Sequence, residues 1–170
     1  MPDAFYHHPM TEPTDSTDST PANDPVRDDL LAIDQSSDFG ARAARHLRED
    51  PVIWLTTVAP SGTPSPNPIW FIWDGAATVT VFSLPDAARV QHLSANPRVA
   101  LHFGGDGKGG DIVVLTGTAA LRPDAPGADA VPEYLTKYDG HITRIGLTPR
   151  TFADKYSLPV TITLSRLRGY

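Results

Sequence analysis

The sequence predicts an α+β protein that is mainly β, a small antiparallel β-barrel of about six short strands with peripheral helices. Three observations point to it. Apolar, β-branched runs recur from Val52 to Phe103 and again from Ile112 and Leu158, divided by Gly, Pro, Asp and Ser turns short enough for hairpins. Helical spacing appears before the first strand, once between the third and fourth, and twice before the last. A chain of 170 residues, 40% of them hydrophobic, can also bury one core without staples.

Residues 1–37 read as a disordered acidic N-terminal tail, and residues 38–170 as the folded domain. The tail is rich in Asp, Thr, Pro and Ser and cannot bury enough surface to offset its ordering entropy. Nine acids up to Asp38 stand against Arg27 alone, which leaves 13 basic and 11 acidic residues for the remainder. Such a weakly basic body suits a small polyanion but lacks the dense Lys/Arg face that nucleic acid requires. His7-His8 has no further ligands at metal-site spacing and reads as solvated tail, so no metal is expected. The absence of cysteine excludes disulfides, iron–sulfur clusters and thiolate zinc. No apolar run approaches the roughly 20 residues of a membrane span, and Met1-Pro2-Asp3-Ala4 has no basic region preceding an apolar one. A cytoplasmic protein without a membrane partner is expected.

Phe39, Ala43, Ala44 and Leu47 recur at helical spacing, with Ser36, Ser37 or Asp38 as cap and Arg42, Arg45 and Arg48 on solvated faces. Val52 to Val58 is the first strand, Ala59-Pro60-Ser61-Gly62-Thr63 a hairpin turn, and Ser65 to Trp73 the second strand. Asp74-Gly75 turns into the third, Thr78 to Phe82, so the three are expected as a meander. Pro64, Pro66 and Pro68 alternate in the second strand and each removes a backbone donor. That pattern fits an edge strand blunted against aggregation; it equally fits unpaired backbone around Ser65, Asn67 and Ile69 that is open to a flat heterocycle.

Ser83-Leu84-Pro85-Asp86-Ala87-Ala88-Arg89 then carries a strand into a helix. Backbone donors and a guanidinium converge there, an arrangement that suits a phosphate. Ser83 and Asp86 have capping-box spacing, which would place a carboxylate near that phosphate. Val99, Leu101 and Phe103 alternate on the fourth strand. The glycine-rich Gly104 to Asp111 lacks Gly-Lys-Ser/Thr spacing and precedes a strand, Ile112 to Ala120, and so reads as a mobile hairpin loop able to close over a ligand. After the Ala/Pro/Gly connection Pro123 to Pro132 come two helices, one marked by Val131, Tyr134, Leu135 and Tyr138, the other by Thr148-Pro149, Phe152, Ala153 and Tyr156. Leu158 to Leu167 closes the chain as an alternating strand.

The meander Ile53 to Phe82, the turn Ser83 to Arg89 and Leu93-Ser94-Ala95-Asn96-Pro97-Arg98-Val99-Ala100-Leu101 together resemble the pyridoxamine-phosphate-oxidase-like, flavin-binding split-barrel superfamily. Trp54 to Val58, Pro68-Ile69-Trp70-Phe71, Gly109 to Val114, Tyr134 to Tyr138 and Arg166 to Gly169 are similar to its actinobacterial branch that uses the deazaflavin coenzyme F-420. The resemblance implies a six-stranded Greek-key split barrel, a homodimer with cofactor sites at its interface, and a small organic substrate. It implies cofactor contacts at Ser65, Asn67, Pro68, Ile69, Trp70, Ser83, Ala88 and Arg89, with the ring on the second strand and the phosphate at Ser83 and Arg89. Arg89 stands where that branch usually has Lys; both bind phosphate, Arg with bidentate preference.

Ser65-Pro66-Asn67-Pro68-Ile69-Trp70-Phe71 lacks the Arg-led strand of a true pyridoxamine phosphate oxidase, so that reaction is not expected. The activity expected instead is hydride transfer between F-420 and a small organic substrate. An FMN-dependent reductase or oxidase and a non-catalytic carrier use the same binding residues. Tyr138, Tyr156, Lys137 and His102 are the candidate proton donors, none of them singled out by the sequence.

Overall fold

The computed structural model describes residues 30–170. Most of the expected tail lies outside the described residues. Its last part, 30–37, does not run free: the Leu31 N–H donates to the Leu164 carbonyl at 3.1 Å, and Leu31 and Ile33 pack on the core. The folded unit therefore begins before Asp38, because the Leu31-x-Ile33 alternation has one apolar face to bury.

Helix α1 (Asp38–Glu49) starts where Ser37 Oγ accepts the Gly40 N–H at 3.1 Å. Ala43, Ala44 and Leu47 are fully buried on its inner face. Seven strands follow, in place of the six expected: β1 (Ile53–Val58), β2 (Pro64–Ile69), β3 (Ile72–Trp73), β4 (Thr78–Ser83), β5 (Arg98–His102), β6 (Val113–Leu121) and β7 (Leu158–Gly169). Helix α2 (Ala88–Ala95) joins β4 to β5, while α3 (Pro132–Arg144) and α4 (Pro149–Lys155) lie between β6 and β7. All pairings are antiparallel, in the order β2-β1-β5-β6-β7-β4-β3.

The expected meander does not form. The run from Ser65 to Trp73 breaks at Trp70-Phe71; its first half pairs with β1 and its second with β4, at opposite ends of the sheet. Three Cα steps separate Ile69 from Ile72 and span at most about 11 Å. The sheet must therefore curl until its two edges meet at this seam, which makes it an antiparallel half-barrel.

Phe71 sits in the seam and belongs to neither ladder. Its N–H donates to Tyr138 Oη at 2.9 Å, and the same hydroxyl lies 2.9 Å from both the Phe71 and Pro51 carbonyls. The barrel core runs through Leu55, Phe71, Val79, Leu101, Leu115 and Ile162, and a second cluster of Phe82, Tyr134, Tyr138, Ile142 and Phe152 fills the space under α3 and α4.

The β5–β6 loop is held by its own acids. Asp106 Oδ1 accepts the Lys108 and Gly110 N–H groups at 2.8 and 2.9 Å, which occupies donors that a phosphate would need. Asp111, at φ 55°, reaches His46 Nε2 on α1 at 3.0 Å, while Asp50 holds Nδ1 at 2.7 Å. Arg42 Nε lies 3.2 Å from Asp111 as well, an ionic contact without hydrogen-bond alignment. The loop is thus tied to α1, against the expectation of a mobile hairpin.

Removing the seam hydroxyl should show what it contributes. Tyr138→Phe strands buried backbone groups of Phe71, and the expected loss is about 1–3 kcal/mol. It is to be read as a lower urea midpoint at unchanged m-value.

Candidate functional site

Where β2 ends, the chain leaves the β1 ladder, with Ile69 still packed on the barrel core. Pro68, Ile69 and Trp70 from this end line a cavity of about 310 Å³ with Phe82 of β4, Arg89 of α2, Tyr134 of α3, Ile145, Phe152 of α4, and Tyr156. Its walls are aromatic and mutually packed. Trp70 stacks on Tyr138 at 5.0 Å and on Phe152 at 5.6 Å, and Phe152 stacks on Tyr156 at 4.6 Å.

Arg89 is the one cation in this lining. Burial pushes its guanidinium below the ordinary value, and the neighbouring Tyr156 opposes that shift. Among the described residues it has no carboxylate within salt-bridge distance. A half-buried cation in an aromatic cavity without an internal counter-ion calls for an anionic ligand.

The start of α2 adds to this field. Its N-cap is Ala87, which has no side chain able to cap, so the first N–H groups lack a side-chain acceptor. The expected Ser83–Asp86 capping box is absent. Ser83 is the last residue of β4, paired with Leu158; its side chain is buried and its hydroxyl donates to the Leu84 carbonyl at 3.1 Å. Sheet pairing keeps Ser83 extended, so the helix starts five residues later. Asp86 is exposed in the intervening turn.

The prolines of β2 have a definite effect on its edge. All six residues pair with β1, and since Pro64, Pro66 and Pro68 cannot donate, the paired donors belong to Ser65, Asn67 and Ile69. The donors around Ser65, Asn67 and Ile69 are thus consumed by β1 and not open to a ligand. What faces outward is the carbonyls of Pro64, Pro66 and Pro68, the last at the rim of the cavity.

The structure brings four of the expected contacts, Pro68, Ile69, Trp70 and Arg89, into one cavity. Ala88 is adjacent, at the first position of α2. Ser65 and Asn67 lie further along the edge, where Asn67 Nδ2 donates to the Ser65 carbonyl and lies equally close to its hydroxyl, at 3.3 Å each. Of the expected proton donors only Tyr156 lines the cavity. Tyr138 is committed to the seam, Lys137 lines a different cleft, and His102 stacks on Trp54 at 6.2 Å on the outer face of the sheet. Phe82, Tyr134, Ile145 and Phe152 were not expected in the site; an apolar strand run for Phe82 and helical spacing for Tyr134 and Phe152 mark these three only as apolar packing residues.

A family model described as pyridoxamine 5'-phosphate oxidase matches residues 39–165. The chain belongs to that family. Its members bind flavins, FMN or the deazaflavin F-420, and are for the most part flavin-dependent oxidoreductases, with some heme-binding proteins among them. Among solved structures, an F-420 reductase is 25% identical, covering 73% of this chain and 94% of its own, with a TM-score of 0.55. Two more distant structures share the fold. A conserved hypothetical protein of Mycobacterium tuberculosis, Rv2991, is 18% identical over 84% of this chain and 86% of its own, with a TM-score of 0.59. The heme storage protein HutZ of Vibrio cholerae is 13% identical over 82% and 95%, with a TM-score of 0.50. No curated protein matches the chain. Among the described residues there is no helix long and apolar enough to cross a membrane, and no cluster of His, Cys, Asp or Glu able to hold a metal ion.

The walls also set a titration behaviour. Burial raises the phenol of Tyr134 well above the ordinary value and does the same for Tyr138, whose bond with Phe71 acts in the opposite sense. The folded chain holds these protons where the unfolded chain releases them, so stability is expected to decline as pH rises above about 10. Absorbance titration should accordingly show at least two of the five tyrosines silent until the protein unfolds. Ionisation of all five in the native state would contradict this burial.

Proposed function

We propose that this protein is an oxidoreductase dependent on the deazaflavin coenzyme F-420, acting on a small organic substrate as a homodimer. The observation that carries the reading is Arg89: a half-buried guanidinium at the uncapped start of α2, facing aromatic walls and without an internal carboxylate partner among the described residues. The likeness to an F-420 reductase at 25% identity supports the choice of cofactor.

The residues fit such a group. Arg89 and the N–H groups of Ala88 and Arg89 would take its phosphate, with Ser83 beneath the same turn. Pro68, Ile69 and Trp70 would hold the ring, the Pro68 carbonyl offering an acceptor at its edge, with Ser65 and Asn67 further along the strand. A cavity of about 310 Å³ is near the lower bound for small-molecule sites, so it would hold only part of such a cofactor. When bound, a reduced deazaflavin supplies a hydride to an electron-poor carbon. The chain contributes orientation, through the aromatic walls; exclusion of water, through the same walls; and a proton held on the Tyr156 hydroxyl.

The homodimer is supported by the outer face of the sheet, where Trp54 remains 38% exposed and stacks on His102. Across the ladders Pro68, Trp54, His102, Val114 and Arg168 form one continuous row. This row is the surface that a second copy would meet.

Reconstitution with each cofactor tests the choice. A single deazaflavin absorption band retained after gel filtration is expected, and retention of FMN alone, with its two bands, would replace F-420 by FMN. Arg89→Ala is expected to weaken F-420 binding by about 1–3 kcal/mol, and unchanged affinity in titration would remove the assigned site. Tyr156→Phe should bind cofactor normally and lower turnover by about tenfold or more in a screen of quinone and enone acceptors. Cofactor binding with no turnover of any acceptor would turn the reading to a carrier.

A further inference from the structure

A second cleft, of about 510 Å³, lies between the end of α1, β3 and the first turns of α3. It shares no lining residue with the first cavity. Two cations enter it. Lys137 of α3 places its amine 3.9 Å from the centre of the Phe71 ring and 3.5 Å from the Leu47 carbonyl. Arg48 of α1 lies over the Trp73 ring at 5.0 Å and donates to the side-chain amide oxygen of Gln35 at 2.7 Å.

Neither cation has a carboxylate within 4.0 Å among the described residues. Asp50, the acid acting on Lys137, is already engaged by His46 at 2.7 Å. Glu133 is the single acid in the lining, so two cations against it leave one positive charge in excess. A dianion would meet Glu133, whereas a monoanion balances the cleft. Ile72, Trp73 and Pro132 give the cleft an apolar wall, and Thr136, the last lining residue, has its hydroxyl engaged by the Pro132 carbonyl at 2.9 Å.

We propose that this cleft is a binding site for a small monocarboxylate with an apolar body, its carboxylate held by Lys137 and Arg48 and its hydrocarbon part resting on Ile72, Trp73 and Pro132. The proposal is independent of the cofactor reading, because the two cavities have no residue in common. It also gives the half-buried ammonium of Lys137 the counter-ion it lacks. Burial lowers that amine to about 8, against the pull of Asp50; the charged groups that share its cleft are Arg48 and Glu133, and the Tyr138 ring lies 5.6 Å from it. Only the protonated amine attracts a carboxylate, so affinity should fall as pH rises above about 8.

Calorimetric titration of the full chain with benzoate and hexanoate tests this, with benzyl alcohol and inorganic phosphate as comparison probes. Benzoate or hexanoate is expected to bind at millimolar concentration or below, benzyl alcohol not at all, and phosphate at least about tenfold more weakly. Lys137→Met should lower carboxylate affinity by about tenfold or more and flatten its pH dependence. Should that variant fail to fold by circular dichroism, Arg48→Gln on the exposed end of α1 decides the matter, with an expected loss of about fivefold or more. Arg89→Ala is expected to leave carboxylate binding unchanged. The proposal is overturned if neither carboxylate binds, if benzyl alcohol binds as well as benzoate, if the folded Lys137 or Arg48 variants bind unchanged, or if Arg89→Ala abolishes binding and so places the ion in the first cavity.

Discussion

One hydroxyl holds the two ends of the sheet together. Phe71 lies between a strand that pairs with β1 and one that pairs with β4, so its backbone groups have no ladder to join. A buried N–H and carbonyl left without partners would oppose the curl that brings the edges together. Tyr138 Oη answers both and reaches the Pro51 carbonyl as well. Because Tyr138 belongs to α3, the bond also fixes that helix against the seam. With α3 in place, Trp70 faces Tyr138 and Phe152 and becomes cavity wall. On the other side, Ile72 and Trp73 face Lys137 across the second cleft.

The aromatic cluster under α3 and α4 therefore has two roles. Tyr134 and Tyr138 are fully buried and belong to the packing of the fold; Trp70 and Tyr156 are partly exposed and border open space. The same low-polarity surroundings that stabilise this cluster make a lone cation beside it costly, and Arg89 stands there without a carboxylate among the described residues. An anionic ligand would remove that penalty.

Much of this was legible along the chain. The alternation of Val99, Leu101 and Phe103, and of Val160, Ile162 and Leu164, corresponds to buried faces, and Thr148-Pro149 does open α4 with a reciprocal cap to Thr151. Ser37 was legible as the cap of α1 through local rules, and the resemblance named together Pro68, Ile69, Trp70 and Arg89, which line one cavity. What was not legible depends on partners distant in sequence. Nothing local distinguishes Trp70-Phe71 as a break in a strand whose neighbours on both sides are apolar. Ser83 and Asp86 have the spacing of a cap, yet pairing with β7 holds Ser83 in the sheet and the capping geometry never arises. Asp106 and Asp111 turn a glycine-rich loop into one bound by its own carboxylates. Helical periodicity, finally, cannot divide Tyr138 from Tyr156, because a core wall and a cavity wall have the same spacing.

The alternating prolines of β2 join two roles that look separate along the chain. A strand at a sheet edge normally offers both donors and acceptors to any incoming strand, and that is what makes edges prone to aggregation. With Pro64, Pro66 and Pro68 facing outward, this edge offers carbonyls alone. Another strand cannot form its ladder there, since half of the bonds would lack a donor. A ligand that brings its own N–H or O–H loses nothing by the arrangement. The same three residues thus exclude a partner backbone from the edge and leave the Pro68 carbonyl, at the rim of the Arg89 cavity, as an acceptor for a small polar molecule. Edge-to-edge pairing at β2 is thereby closed to a second copy of the chain as to any other strand.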